Sequence, residues 1–245
     1  MALAETPFKM TMRGTWPGPL TLRRNWARAE ARPWNDVNAD ASLRLVRGGG
    51  GFLSACSEQL FDIGAPSVLS PPLPPTARGA WLDAGFAPAL DLALMRLALE
   101  VRPSCPNHLV VDGTDQGREA LLDIDRAAFS DFWRFDGHGL DEAIDATTTS
   151  NILIIRDQDG GPAAFAVVGY GSAIAYLQRV AVHPKWQCRG MGRSLVRAAA
   201  RKARASGARV MLLNTQFDNE AAIELYKSEG FVLLTEALTL MRRYT

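Results

Sequence analysis

A short apolar strand followed by a glycine-rich loop and a helix is the feature that most constrains this chain. Residues 180–182 (Val-Ala-Val) lead through His-Pro-Lys-Trp into Gln187-Cys-Arg-Gly190-Met-Gly192, and a helix is predicted over 190–206. Glycines let a backbone approach a ligand closely, and the free amides of a first helical turn attract an anion. The pattern predicts a phosphate-binding loop, with a plain strand-turn-helix packed through glycines as the alternative.

Two better-known phosphate loops do not fit this sequence. Leu195 stands where a dinucleotide fingerprint requires its third glycine, and Gly-Lys-Ser/Thr is not present. A second glycine run, residues 48–51, also lacks the lysine of a nucleotide loop. It predicts a flexible hairpin or loop, although a run of this kind could cradle a phosphate.

Composition indicates an ordinary globular protein of one or two domains. The chain has 245 residues, of which 47% are hydrophobic and 22% charged. Lys and Arg total 27 against 26 Asp and Glu, so the formal net charge of +1 gives no support to bulk binding of nucleic acid. We therefore expect no nucleic-acid partner.

Cysteine usage and hydropathy point to the cytoplasm. Cys56, Cys105 and Cys188 are widely spaced and form no Cys-x-x-Cys pair, so neither a disulfide framework nor a metal site is expected. Residues 1–10 lack the features of a secretory signal, and no apolar run approaches the ~20 residues of a membrane span. We expect no membrane partner.

The chain divides into an irregular first part and a regular second part. Residues 1–104 form a short N-terminal domain in this interpretation, with a proline-rich segment at 70–75 that is a connector or a ligand for a partner. Residues 105–245 alternate between strand-like and helical patterns, which predicts an α/β fold with a mixed sheet flanked by helices. Residues 103–108 form the linker.

A similar sequence pattern, here called the internal echo, occurs in both parts. Trp81-Leu-Asp-Ala-Gly85-Phe86, followed by Leu-Met-Arg at 94–96, parallels Tyr226-Lys-Ser-Glu-Gly230-Phe231, followed by Leu-Met-Arg at 240–242. Chance similarity of two helix ends is one explanation. The other is that the N-terminal part is a shortened, degenerate copy of the C-terminal part.

The second part resembles the GNAT superfamily of acyl-CoA-dependent N-acetyltransferases. The family loop is Gln/Arg-x-x-Gly-x-Gly/Ala, which Gln187, Gly190 and Gly192 match in full. Residues 219–231, Asn-Glu-Ala-Ala-Ile-Glu-Leu-Tyr-Lys-Ser-Glu-Gly-Phe, match its second signature. The resemblance covers about 107–245 and implies a GNAT-like fold that uses acetyl-CoA as acyl donor.

The resemblance also implies a role for individual residues. The strand residues Val180, Ala181 and Val182 would pair with the pantetheine arm, and Asn214 and Asn219 would contact the cofactor. The loop residues would surround the pyrophosphate: Gln187, Cys188, Arg189, Gly190, Met191, Gly192 and Arg193. Tyr226 would be catalytic.

The chemistry of amide formation explains these residue types. Attack of an amine on a thioester creates an oxyanion, which a backbone amide of strand 180–182 can stabilise. It then releases a thiolate with a pKa near ~8.5, to which a tyrosine with a pKa near ~10 can return a proton. The alternative for Tyr226 is a core aromatic with a satisfied hydroxyl group.

No residue stands out as the general base. Asp131, His138, Glu142 and His183 qualify by type only, and relay through water is an equal possibility. Cys188, at a helix N-terminus, could be a nucleophile. It lies among the pyrophosphate positions, so the resemblance favours direct transfer in a ternary complex.

An arginine stripe and the acceptor complete the expectations. Arg193, Arg197, Arg201 and Arg204 share one face of helix 190–206, which predicts a solvated face with Arg193 reaching the pyrophosphate. Acceptor loops are expected at 129–150 and in the N-terminal domain. The acceptor is a protein N-terminus, a lysine or a small amine such as a mycothiol precursor. A non-catalytic acyl-CoA-binding module is the rival function.

Overall fold

The computed structural model of the chain describes residues 9–245, which form two compact units. The first unit holds the residues up to Leu92 together with Ala237–Thr245, and the second holds Ala93–Glu236. Residues 1–8, on which most of the sequence argument against a secretory signal rests, lie outside the described residues. The compact units divide at 92/93, whereas the sequence suggested 104/105; the functional assignment of the two domains stays a prediction.

The first unit is built on a mixed sheet with two helices. Its elements are β1 (Thr11–Arg13), β2 (Leu20–Arg24), β3 (Ala27–Pro33), β4 (Ala41–Arg47), α1 (Gly50–Asp62), β5 (Ser67–Leu69), α2 (Gly79–Asp83), the first half of β6 (Ala87–Ala98) and β13 (Leu238–Tyr244). The strand order is β1-β2-β3-β4-β5-β13-β6. Leucines and alanines of β2–β4 alternate with polar residues and pack against Phe52, Leu53 and Trp81 of the helices.

The second unit is a mixed sheet covered by helices on both faces. It takes the rest of β6 and then contains β7 (Val111–Asp112), α3 (Arg118–Ala128), α4 (Gly137–Asp145), β8 (Thr149–Arg156), β9 (Pro162–Tyr170), β10 (Ile174–Val182), α5 (Met191–Ala205), β11 (Val210–Gln216), α6 (Glu220–Ser228) and β12 (Val232–Leu233). The strand order is β6-β11-β10-β9-β8-β7. The α/β fold with a mixed sheet flanked by helices is thereby confirmed.

Burial on both faces explains the composition of the central strand. Strand β9 is buried along almost its whole length, because α3 and α4 cover one face of the sheet and α5 covers the other. Alternate residues therefore enter separate cores: Phe165 and Val167 pack with α3 and α4, and Ala164, Ala166 and Val168 with α5. This rigid sheet carries the loop at 187–192.

The two units repeat one order of elements. Three antiparallel strands, a helix, a parallel strand and a second helix occur as β2-β3-β4-α1-β5-α2 in the first unit and as β8-β9-β10-α5-β11-α6 in the second. The echo in the sequence marks the end of the last helix in each. Gly85 and Gly230 have φ of 83° and 89°, and the amide after each glycine donates to the carbonyl five residues earlier.

Several local expectations from the sequence were wrong. The glycine run 48–51 opens helix α1 with Gly49 as its N-cap and is not a hairpin. Residues 9–100 are largely regular, and the segment 129–150, expected to be a loop, contains helix α4. Its role at the acceptor stays a prediction. Glycines obscure both helix starts in the sequence, since α1 begins with two glycines and α4 has two in its first turn. No helix among residues 9–245 is long and apolar enough to cross a membrane.

Candidate active site

Strands β10 and β11 separate at the point where the candidate site begins. They pair in parallel only from Ile174 opposite Val210 to Tyr176 opposite Leu212, although β10 continues to Val182 and β11 to Gln216. A bulge between Leu177 and Arg179 interrupts the pairing of β10 with β9. The edge of β10 that includes residues 180–182 is therefore left without a β11 partner, and its amides and carbonyls can bond an extended ligand.

The loop after β10 is held in a compact turn beside that edge. The side chain of Gln187 donates from Nε2 to the carbonyl oxygen of Val182 at 3.1 Å. Cys188 and Gly190 both have left-handed backbone angles, with φ of 57° and 80°. At Gly190 a side chain would be strained, which explains the glycine there.

The N-terminus of α5 is suited to an anion. Gly190 is its N-cap; no side chain among the described residues caps this end, and no acidic residue lies in its first turn. The positive end of the helix dipole is therefore not neutralised. Gly192 lies where α5 approaches two neighbours: a Cβ there would be 3.4 Å from Cδ2 of Leu225 and 3.7 Å from Cγ2 of Val182.

The remaining loop residues are divided between the surface and the core. Met191 is buried, whereas Cys188 and Arg189 are exposed. The Arg189 guanidinium lies 4.8 Å from the ring centroid of Trp186. Cys188 has no described contact with Tyr226.

A histidine that the sequence did not single out lies beside the loop. The hydroxyl oxygen of Ser194, in α5, lies 2.9 Å from Nδ1 of His108 and accepts from the backbone amides of Asn107 and His108 at 3.1 and 3.2 Å. A Cβ on Gly190 would be 3.7 Å from Cε1 of His108. A lone histidine after a linker gives no signal by spacing; only the fold brings it to the loop.

The arginine stripe of α5 is not a solvated face, and that expectation was wrong. Arg193 and Arg197 both pair with Glu229, at 3.0 and 2.8 Å. Arg201 donates to the carbonyl oxygen of Pro103 at 3.1 Å, and Arg204 to that of Leu99 at 2.9 Å. These arginines therefore hold the segment from Leu99 to Pro103, and Glu229 at the end of α6, against α5.

Arg193 was expected at the pyrophosphate, and the structure gives it other partners. In addition to Glu229, its guanidinium donates to the hydroxyl oxygen of Ser228 at 3.2 Å. Its side chain is still 45% exposed, so a contact with an incoming ligand stays a prediction.

Helix α6 carries the second signature. Asn219 is its N-cap and accepts from the amide of Ala222 at 3.3 Å, so this residue has a structural role before any ligand binds. Asn214 is exposed on the part of β11 that has separated from β10.

Tyr226 is 9% exposed, and its ring lies 5.6 Å from that of Phe231. Burial raises the pKa of Tyr226 to about 12, and the nearby positive charge of Arg179 acts in the opposite direction. The hydroxyl therefore keeps its proton at neutral pH, and no hydrogen bond from it is found among the described residues. No described side chain accepts this proton, so the hydroxyl can donate it to a ligand.

A buried ion pair connects the segment after α3 to β10, and no pattern in the sequence predicts it. Arg179 donates from Nε and Nη2 to the carboxylate of Asp125 at 2.6 and 2.7 Å. Its guanidinium lies 3.4 and 3.9 Å from the ring centroids of Phe129 and Phe135. Asp125 also accepts from the amide of Phe135 at 2.7 Å. The aromatic segment 129–135 is thereby fixed next to the candidate site.

The four candidate bases are scattered. Nδ1 of His183 accepts from the amide of Lys185 at 3.2 Å, which is a turn-forming role. Asp131 lies 3.4 Å from Arg134, and His138 and Glu142 belong to α4. No group of three or more metal-ligating side chains occurs within residues 9–245.

Comparisons with known proteins agree with this geometry. Residues 118–231 match the model of the Acetyltransferase (GNAT) family. A mycothiol acetyltransferase of Nocardiopsis dassonvillei is 32% identical over 131 residues, which are 50% of this chain and 36% of the relative. A ribosomal protein bS18-alanine N-acetyltransferase of Escherichia coli is 37% identical over 74 residues, 30% of this chain and 50% of the relative. The chain thus matches half or less of each curated relative's length.

Solved structures share the fold over most of the chain. A GCN5-related N-acetyltransferase from Sphaerobacter thermophilus has a TM-score of 0.59 at 17% identity and covers 93% of this chain and 81% of its own. A tandem GNAT protein from the clavulanic acid biosynthesis pathway has a TM-score of 0.62 at 13% identity and covers 92% and 82%. Identities this low show the fold alone.

The fold, the open strand edge and the glycine loop define an acyltransferase domain of the GNAT type. Residues 118–231 of this chain belong to the GNAT acetyltransferase family. The acyl donor of that family is acetyl-CoA.

Proposed function

We propose that this chain transfers an acetyl group from acetyl-CoA to a primary amine, by direct attack in a ternary complex. The observation that carries the proposal is the position of three features in one unit: the unpaired edge of β10, the uncapped N-terminus of α5, and a buried tyrosine on α6. A thioester acetyl transfer needs a groove for the donor, a site for the pyrophosphate and an acid for the thiolate.

In this proposal the donor lies along β10 and ends at the loop. Backbone groups of Val180, Ala181 and Val182 bond the pantetheine arm. Gln187, Cys188, Arg189, Gly190, Met191, Gly192 and Arg193 surround the pyrophosphate, where the helix dipole favours negative charge. Asn214 and Asn219 contact the cofactor from β11 and α6.

The reaction needs one stabilised oxyanion and one returned proton. The amine attacks the thioester carbon, and a backbone amide of β10 donates to the oxyanion that forms. The C–S bond then breaks, and Tyr226 gives its proton to the sulfur. The raised pKa keeps Tyr226 protonated, so a proton is present when the thiolate forms. Without this proton the thiolate would remain charged in a site that excludes water. The amine's proton passes to solvent, directly or through a base that we do not assign, and the Tyr226 phenolate takes a proton back from solvent before the next turnover.

The first unit is proposed to be a degenerate copy without this activity. It repeats the order of elements, yet Trp81 stands where the echo places Tyr226, and a tryptophan cannot return a proton to a thiolate. Aligning the N-caps of α1 and α5 places Val46 where the second unit has Gln187. A Cβ on Gly50 would be 2.7 Å from Cβ of Asp83, so an acidic residue lies beside that helix start. We expect one acetyl-CoA per chain.

The acceptor is proposed to be a small amine or a protein N-terminus. The two curated relatives are named for a mycothiol acetyl transfer and for acetylation of an alanine of a ribosomal protein. The aromatic segment held by Arg179 is the wall that the acceptor would meet, in line with the expected acceptor region at 129–150. The cytoplasm as compartment stays a prediction.

The test is release of CoA thiol from acetyl-CoA in the presence of a panel of amines. The panel contains glucosamine-linked cysteine conjugates, peptides with free N-terminal alanine, lysine peptides blocked at the N-terminus, and an acetylated control for each. Amine-dependent thiol release with mass-verified acetylation supports the proposal. A chain that binds acetyl-CoA and releases thiol with none of the amines would favour the rival, a non-catalytic acyl-CoA-binding module.

A further inference from the structure

The first unit has a solvent-facing sheet surface that carries six arginines. Strands β2–β4 alternate between a buried face of leucine and alanine and an outward face of polar residues, and the exposed strand β1 extends that outward face. The arginines on the outward face are Arg13, Arg23, Arg28, Arg32, Arg44 and Arg47, and we call this surface the basic face. Both helices of the unit pack on the opposite, apolar face, through Phe52, Leu53 and Trp81.

Cross-strand register places these charges in rows. Arg23 is opposite Arg28, which is opposite Arg47, with Thr11 at the end of the row. Neighbouring strands are about 4.8 Å apart, and like charges directly opposite one another destabilise a sheet. The three adjacent arginines therefore lower the stability of the sheet, and the alternation of apolar and polar residues does not require arginine at these positions.

Acidic side chains are scarce among the outward strand positions of this face. Glu30 is its one acidic residue; it pairs with Arg28 at 2.7 Å and with Arg44. Arg32 donates to the carbonyl oxygens of Pro33 and Trp34, both at 2.7 Å. The outward strand positions of β1–β4 hold six arginines and one glutamate, whereas the whole chain carries a net charge of only +1. The overall balance therefore conceals a strong separation of charge.

The second unit uses the corresponding face differently. There Phe165 and Val167 of β9 and Ala181 of β10 are buried beneath Leu121, Leu122 and Leu140 of α3 and α4. The described part of the first unit has no helix at that place. An uncovered sheet face needs polar side chains, but serine, threonine or mixed charges would satisfy that need without repulsion.

We propose that the basic face binds the phosphate backbone of single-stranded nucleic acid. Arginine forms bidentate bonds to phosphate, and threonine and serine, which fill the other strand positions apart from Glu30 and Val46 at the β4 bulge, also donate to phosphate oxygens. Trp26, at the turn between β2 and β3, is 66% exposed and offers a ring for base stacking.

Other occupants fit the face less well. A protein interface has an apolar or aromatic centre, whereas these strand positions are polar. An anionic membrane would be held by charge alone, without the apolar insertion or lipid anchor that makes such binding stable. A second copy of the same face would place arginine against arginine. A nucleic-acid strand takes its affinity from the phosphates themselves and needs no apolar centre.

The experiment measures binding of the full chain to a fluorescein-labelled 20-nucleotide oligo-U or oligo-dT by anisotropy, between 50 and 300 mM NaCl. The test variant is Arg13→Gln/Arg23→Gln/Arg47→Gln, whose three side chains make no ion pair among the described contacts. The control variant is Arg96→Gln/Arg102→Gln/Arg209→Gln, which removes the same charge from exposed positions of the second unit. Both variants are first checked for thermal unfolding at a temperature no lower than that of the wild-type chain.

We expect the wild-type chain to bind, with affinity that falls steeply with salt. The test variant should bind at least tenfold more weakly, and the slope of log K against log salt should become shallower by about 2, near 0.7 for each lost phosphate contact. The control should change affinity less than twofold. Absence of binding at 50 mM salt, equal losses in the two variants, or tighter capture by phosphatidylserine vesicles or poly-glutamate than by the oligonucleotides would each overturn the proposal.

Discussion

Arg179 of strand β10 and Asp125 of helix α3 form a bidentate ion pair in the interior of the second unit, with donor–acceptor distances of 2.6 and 2.7 Å. The Asp125 side chain is fully buried and that of Arg179 is 10% exposed. The same arginine donates to the carbonyl oxygen of Trp133 at 2.9 Å. One side chain thus connects the strand that would bind the donor with the segment that would meet the acceptor.

Breaking this pair should destabilise the second unit strongly. Asp125→Asn keeps the shape but leaves the Arg179 charge buried without its counter-ion, and we expect a loss of about 3–5 kcal/mol in the free energy of unfolding. Urea denaturation measures it. Asp123→Asn, on the same helix with a 69% exposed side chain paired to Arg126, is the control and should change stability by less than about 1 kcal/mol. Equal effects of the two substitutions would contradict the assignment.

Tyr226→Phe should lower turnover and spare donor binding. The substitution keeps the ring that packs on Phe231 and removes the proton that we assign to the thiolate, so kcat should fall roughly 10²–10⁴-fold. The acetyl-CoA dissociation constant should barely change. Tyr170→Phe is the control, because Tyr170 is also buried but its hydroxyl donates to Asn151. A Tyr226→Phe chain with wild-type turnover would reduce Tyr226 to a packing role.

Gly192→Val should weaken acetyl-CoA binding more than tenfold while the chain stays folded. The added side chain would stand between the start of α5 and the ends of β10 and α6, where the pyrophosphate must approach the backbone. Gly51→Val provides the control, since Gly51 holds the second position of α1 and a Cβ there meets nothing within 4 Å. Calorimetry that finds equal affinity in wild-type and Gly192→Val proteins would refute the loop assignment.

Titration of the full chain with acetyl-CoA should saturate at one molecule per chain. The first unit has Trp81 and Val46 where the second has Tyr226 and Gln187, so the acid and the loop glutamine are both missing there. Isothermal titration calorimetry gives the number directly. A stoichiometry near two, abolished by Gly51→Val, would assign a second site to the first unit.

Stability should fall at alkaline pH as buried tyrosines ionise. Burial raises the pKa of Tyr170 and of Tyr226 to about 12, above the ordinary value near 10. Folding therefore favours the neutral forms of both tyrosines. Their contribution to the free energy of unfolding is complete below about pH 10 and is lost as the pH rises toward 12. Tyr170→Phe and Tyr226→Phe should each flatten the decline in unfolding free energy. A decline as steep in both variants as in the wild-type chain would contradict this assignment.

The sequence alone determined the loop, the family resemblance and most elements of the second unit. Gln187, Gly190 and Gly192 lie close together along the chain, so the local sequence shows the pattern that the loop backbone requires, and no knowledge of the fold is needed. The helix ends at Gly85 and Gly230 were readable for the same reason, because a left-handed backbone angle strongly favours glycine. Alternation of strand and helix patterns was enough to predict a mixed sheet with helices on its faces.

Only the tertiary structure decided which distant side chains meet. The Asp125–Arg179 pair joins residues 54 positions apart, and the His108–Ser194 contact joins residues 86 apart, so no local spacing encodes either. The arginine stripe of α5 looked solvated because amphipathicity gives the polar side of a helix but not what lies against it. The six arginines of the basic face belong to four strands, and hydrogen-bonded register, which depends on long-range pairing, is what aligns them.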